Sequence, residues 1–348
     1  MNEYSIYVER TLNKPNKKMI CMGVRFLLLL ATVFSCTSCT GKKIYGEENP
    51  DLYIKRFDVD FYQYLQGEAH ENVLDEYSDF LQVYGGNVLN VGTPDQPDFY
   101  EKLRAYFSNP AIGDLYQTQQ QAFSDVASYS AELSKGLDGF LNAFPSIPKP
   151  KVYMHVSGWE QKIVVTDSIL SLSADFYLGS DYPYYQNFFY DYQRKLMNPD
   201  RIVPDYLMGF MIANLPFEGR EDVLLDRMLY EGKLAYMLSC FLPDRRDWEY
   251  VAYSSSEYDW CESNQAQIWK TLLENQHLFA PDLRITSQYL KEAPHTAFLP
   301  EQSPGRVGVW IGYRIISAYM DRNSGLSFSE LMAKTDYQEI LKESRYKP

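Results

Sequence analysis

The chain has 348 residues, 45% hydrophobic and 16% aromatic with 30 tyrosines, which excludes a disordered polypeptide and suffices for one large or two small cores. Its net charge is −13 and it holds no stripe of lysine or arginine. That balance excludes a nucleic-acid partner, whose phosphates demand such stripes, and docking by charge on anionic lipid.

Residues 1–39 read as an export and lipidation signal. Lys17, Lys18 and Arg25 precede FLLLLATVF, an apolar run suited to a secretory signal and too short to span a bilayer. Cys36 and Cys39 follow in SCTSCTG, near small residues, as bacterial lipoprotein processing requires, with Cys36 the preferred of the two. The alternative is an ordinary cleaved signal. The stretch before Met19 and Met22 reads as an over-extended start. A lipidated cysteine anchors the rest of the chain to the membrane. Residues 40–52 are polar without an apolar period, a tether, and residues 53–348 read as a single mainly helical domain.

HENVLDEYSDFLQVYG puts Val73, Tyr77, Phe80, Leu81 and Tyr84 on one helical face, and PDFYEKLRAYF is a short helix behind a Pro-Asp cap. Apolar residues from Leu115 to Phe144 predict one helix, or two broken near Gly136. PSIPKP closes this section. KVYMHVSG, KIVVTDS and ILSLSADFYLG then predict three strands of a small antiparallel sheet, so the class is α+β, mainly α.

Helices resume in VPDYLMGFMIANL and DVLLDRMLYEGKLAYMLSCFL. SSSEYDWCESNQAQIWKTLLENQ opens on the capping box Ser254…Glu257, and SFSELMAK on Ser327…Glu330. SPGRVGVWIGYRIISAYM has Pro304 in its first turn and Gly308 and Gly312 on one face, where another helix can approach closely. Cys240 and Cys261 read as buried free thiols rather than a disulfide.

Motifs for chemistry are sparse. There is no nucleophile elbow, phosphate-binding loop or HExxH. His70, His155, His277 and His295 are too widely spaced to share a helix face, so neither a metal nor another cofactor is expected. His155 reads as a locally bonded strand residue, His277 and His295 as surface or loop residues. Asp175, Asp205, Glu231, Asp259 and Glu262 lie in or beside apolar segments, where a glycosidase pair is conceivable but structural roles are preferred.

The stretch RMLYEGKLAYML raises a sharper question, because Glu231 and Gly232 interrupt an apolar helix. Three strands, an apolar helix and a helix bearing Glu-Gly is also the element order of zinc peptidases of the gluzincin type. Their ligand spacing counted back from Glu231 falls on Met208 and Ile212, both apolar. The arrangement is then zincin-like with its metal site overwritten. Otherwise Glu231 is one half of a structural ion pair with Arg227, Arg306 or Arg314.

Six segments together resemble the gliding-motility-associated lipoprotein GldB family: RFDVDFY (Arg56–Tyr62), ADFYLGSD (Ala174–Asp181), MNPDRIVPD (Met197–Asp205), WCESNQAQIW (Trp260–Trp269), SPGRVGVWIGYRI (Ser303–Ile315) and ESRYKP (Glu343–Pro348). The resemblance implies an exported envelope lipoprotein, lipid-anchored in the outer membrane, on a zincin-like scaffold. It brings no catalytic residues. The expected role is non-catalytic binding of another envelope component, a protein or a glycan. The candidate surface has Trp260, Asn264 and Gln267 at helical spacing with Glu262, beside Arg306 and Trp310, and with Glu231 as a further binding candidate; ordinary core packing is the alternative. Rival functions are a divergent peptidase or glycan hydrolase and a glycan-capture lipoprotein.

Overall fold

The computed structural model describes residues 6–8, 52–68 and 71–348. The apolar run, Cys36, Cys39, His70, the tether up to residue 51 and the Val73 side chain lie outside the described residues. Among the described residues, five α-helices precede the main strands: α1 (Phe57–Leu65), α2 (Ser78–Val83), α3 (Phe99–Phe107), α4 (Pro110–Ala122) and α5 (Ala127–Ala143). The strands are β1 (Ile6–Val8), β2 (Lys151–His155), β3 (Ile163–Val165) and β4 (Ile169–Ser173). Ten helices come after them: α6 (Asp191–Arg194), α7 (Ile202–Asn214), α8 (Leu224–Phe241), α9 (Asp247–Tyr250), α10 (Ser255–Ser263), α11 (Gln265–Glu274), α12 (Leu283–Leu290), α13 (Val307–Arg322), α14 (Phe328–Ala333) and α15 (Tyr337–Ser344).

Local signals explain most boundaries. Both capping boxes form, at Ser254/Glu257 and Ser327/Glu330. The break between α4 and α5 falls at Phe123–Val126 rather than at Gly136. Asp125 accepts from Ala127 N at 2.8 Å to restart the helix, whereas Gly136 lies inside α5 with the side chains of Leu207 and Leu242 against it. Asp98 does not cap α3; its carboxylate pairs with Lys102 at 2.8 Å. The predicted helix through Tyr84 is instead a 3-10 turn, α2 and a π turn, although Tyr77, Phe80, Leu81 and Tyr84 are all buried as its face required.

The sheet is mixed, not antiparallel, in the order β1-β3-β4-β2. β3 and β4 form the expected antiparallel hairpin, but β2 runs parallel to β4, with Lys151 opposite Ile169 and His155 opposite Ser173. Residues 156–162 are long enough to carry the chain from β2 past β4 to its far side, and turn residues alone do not reveal which neighbour a strand chooses. Ile6–Val8, expected within the signal, pairs parallel to β3. Every residue of β3 and β4 is buried, as both sheet faces are covered. Rings of Phe80 and Tyr84 pack on Tyr153 and His155. The largely apolar α7 also packs on β3 and β4, with Gly209 against Ile163.

The C-terminal half is built on α8 crossing α13. A Cβ added at Gly232 would lie 2.8 Å from Tyr313 N and nearer still to the Gly312 carbonyl; one at Gly312 would lie 2.8 Å from the Met228 carbonyl carbon. The two glycines let the helix backbones touch, which answers why Gly232 interrupts an apolar helix. Gly308 serves a different neighbour, α12, at Tyr289. The helix α13 starts at Val307, later than Pro304 suggested, because Arg306 turns left-handed (φ +59°). Cys261 is a buried free thiol, and Cys240 is a partly exposed one.

α8 also buries Lys233 completely, its ammonium donating to the Lys334 carbonyl at 2.5 Å over the Tyr337 ring. Burial pushes its pKa down to about 8, with Glu218 opposing and Lys334 adding to the shift. The folded state therefore binds fewer protons than the unfolded one between about pH 8 and the ordinary lysine value. Lys233 alone thus contributes a rise of about 2 kcal/mol from about pH 8 to about pH 10, seen as the difference between the parent and the Lys233→Met variant. The buried tyrosines, whose pKa values burial raises, push stability the other way as their unfolded forms ionise. Lys233→Met should raise stability at pH 7 by about 1–2 kcal/mol and abolish that rise. Urea unfolding across this pH range checks it; an unchanged slope in the variant refutes it.

Candidate functional site

Three of the six GldB-like segments meet in one corner. Glu262 on α10 pairs with Arg314 on α13 at 3.0 Å, and Arg314 lies 5.8 Å over the Trp310 ring. Trp269 on α11 meets Tyr346 of the C-terminal tail edge-on at 5.2 Å, and Arg322 donates to the Ser344 carbonyl at 2.9 Å. The tail thus clamps α11 and α13 together. The stripe Trp260, Asn264, Gln267 does not run along one helix, because Asn264 ends α10: its side-chain amide donates back to the Trp260 carbonyl at 2.8 Å. Gln267 is exposed on α11.

The remaining candidates are more enclosed. Trp310 is fully buried against Tyr258. Arg306 is also buried, in a loop held by Tyr253 Oη on the Gly305 carbonyl (2.7 Å) and Thr296 Oγ1 on the Pro304 carbonyl (2.8 Å). Glu231 accepts from Arg227 one turn back at 3.1 Å, with 14% of its side chain exposed. Burial raises its carboxyl pKa, while Arg227 and then Arg306 pull it down. Of the six binding candidates, Glu262 and Gln267 are exposed, Trp260 and Glu231 partly so, and Arg306 and Trp310 are not.

The titratable groups near the sheet are inward-facing. His155 is buried, its Nδ1 2.7 Å from Ser171 Oγ, and burial pushes its pKa down to about 3, so it is neutral at physiological pH. Asp175 takes the Ser173 hydroxyl and Trp159 N, the latter at 2.9 Å; burial raises its pKa. Asp205 is filled by Arg201, Lys162 and Tyr177. Neither aspartate presents a free face for glycoside chemistry. His277 is buried, not on the surface, and its Nδ1 is 3.0 Å from Tyr289 Oη, under Phe298. Among the described residues, no three His, Cys, Asp or Glu side chains converge as a metal site, and no helix is long and apolar enough to cross a membrane.

A family model described as gliding motility protein GldB matches residues 41–348. The chain belongs to the GldB family. No curated protein and no solved structure matches it. In this GldB-family chain the segments WCESNQAQIW, SPGRVGVWIGYRI and ESRYKP owe their pattern largely to packing: an ion pair, a ring contact and a tail clamp. Sequence reasoning passed over SDYPYYQNFFYDYQR (Ser180–Arg194), which holds a 3-10 turn and the short α6. There Phe188 is 65% exposed and Tyr190 70%. The density of aromatics in that segment was the available signal.

Proposed function

We propose that this GldB-family protein is exported, lipidated at Cys36 or Cys39 and anchored in the outer membrane, where it acts without catalysis by binding another envelope component. The family match supports a gliding-motility-associated role. The observation that carries the binding reading is the corner built by Glu262–Arg314 and Trp269–Tyr346, which ends in the exposed side chains of Glu262 and Gln267. A zincin-like ancestry is part of the same reading, supported by the succession of sheet, α7 and the Glu231-bearing α8; stoichiometric zinc in the purified protein would overturn the non-catalytic view. Cross-linking and pull-down from envelope fractions is the direct test. Glu262→Ala/Gln267→Ala is expected to keep the thermal midpoint and lose the captured partner about tenfold or more, the scale of a lost hot spot. Unchanged capture and unchanged cellular function would rule this surface out. Cys36→Ala or Cys39→Ala should abolish labelling by an alkyne fatty acid.

A further inference from the structure

We infer that a second surface, formed by Trp159 and the segment from Tyr182 to Tyr192, binds a neutral polysaccharide by stacking on its sugar rings. Trp159 stands in the left-handed region at φ +65°, next to Gly158 at φ +68°, a costly conformation for a bulky residue. Asp175 imposes it: its carboxylate accepts from Trp159 N at 2.9 Å and its carbonyl from indole Nε1 at 3.0 Å. Tyr185 Oη donates to the same carbonyl at 2.6 Å. The indole is thus fixed before any ligand arrives, which lowers the ordering cost of binding.

Phe188 lies 5.0 Å from Trp159 at 47°, and its ring is mostly in water. Tyr184 packs on the buried Tyr182, which meets Tyr185 beneath Trp159, and Tyr190 stacks on Tyr192 at 5.6 Å and 9°. Exposed aromatics placed on a rigid base, in place of aliphatic residues, offer electron-rich faces to weakly positive C–H groups. The axial C–H faces of pyranose rings have that character. Asp181, Gln186 and Asn187 are exposed in the same segment and suit sugar hydroxyls.

Charge selects against an anionic ligand. Arg194 is paired with Asp191 and Lys195 with Glu257, while the exposed Asp181 adds negative charge. A proline-rich peptide is the other ligand of aromatic surfaces, but it needs an outward donor, and the indole N–H of Trp159 is directed inward.

The test uses the full-length protein in detergent, with retention on chitin, cellulose and amylose and tryptophan fluorescence titration with their hexasaccharides. The parent protein is expected to bind at least one. Phe188→Ala/Tyr190→Ala should weaken it about tenfold or more, the scale of lost ring stacking, with an unchanged thermal midpoint. Phe188→Leu, which keeps bulk but not the ring, should weaken binding too, and Gln267→Ala should leave it intact. Absence of binding to all three, equal binding by the double variant, or preference for alginate or a polyproline peptide overturns the inference. Because Gln267 belongs to the α10–α11 corner, failure here leaves the partner surface at that corner untouched.

Discussion

Gly232→Ala is expected to destabilise the protein by about 3 kcal/mol or more, against a helix-propensity gain of about 1 kcal/mol. A methyl group there meets the Gly312 carbonyl and Tyr313 N, all backbone, so no rotamer change can make room. The axes of α8 and α13 must separate, and the apolar side chains on both helices lose contact along with them. Gly312→Ala presses on Met228 in the same way. Gly209→Ala is the internal control, because the nearest atoms its added methyl meets belong to the Ile163 side chain at 2.9 Å or more and none is backbone. Urea unfolding should rank Gly232→Ala and Gly312→Ala well above Gly209→Ala. Equal losses at the three positions would show that helix–helix contact is not what Gly232 provides.

This glycine pair marks how far the sequence could be read. Gly308 and Gly312, four residues apart, announced a close approach, and Glu231-Gly232 announced an anomaly, yet nothing in the spacing joined the two. That join is tertiary. Strands β2, β3 and β4 were legible because β-branched residues alternate between turns, but the parallel pairing of β2 with β4 depends on a crossover that short-range signals do not encode. The stripe through Trp260, Asn264 and Gln267 failed for a local reason: Asn264 satisfies the carbonyl of Trp260 with its own amide and stops the helix. Trp310 looked like a groove residue because tryptophan in a glycine-rich helix is ambiguous; in the fold it is fully buried, with Tyr258 edge-on against it. The aromatic segment went unread because tyrosine and phenylalanine at irregular spacing carry no period, and exposure is set by the Asp175–Trp159 anchor beneath them.

The second large effect is expected at Asp205, a buried carboxylate beside the sheet that two cations share. Arg201 reaches one of its oxygens at 2.5 Å, Lys162 the other at 2.7 Å, and Tyr177 Oη donates to that second oxygen at 2.9 Å. Asp205 and Arg201 are buried, and Lys162 keeps only 16% of its side chain in water. Asp205→Ala leaves two cations with little solvent and without their counter-ion, at an expected cost of about 3–5 kcal/mol. Burial alone raises the carboxyl pKa, but Arg201 and Lys162 outweigh it and hold it at about 2. Since the folded pKa lies below the unfolded one, this contribution is fully present above about pH 4 and is lost as pH falls through about 2, an acid limb of about 2 kcal/mol. The variant should lose that limb as well as the stability at pH 7. Unfolding free energies at neutral and acid pH separate the two effects: a large loss with the parent's acid slope intact would assign the titration to another carboxylate. Asp205→Leu combined with Arg201→Met and Lys162→Met should recover much of the loss, because the penalty belongs to the stranded charges rather than to the missing oxygens.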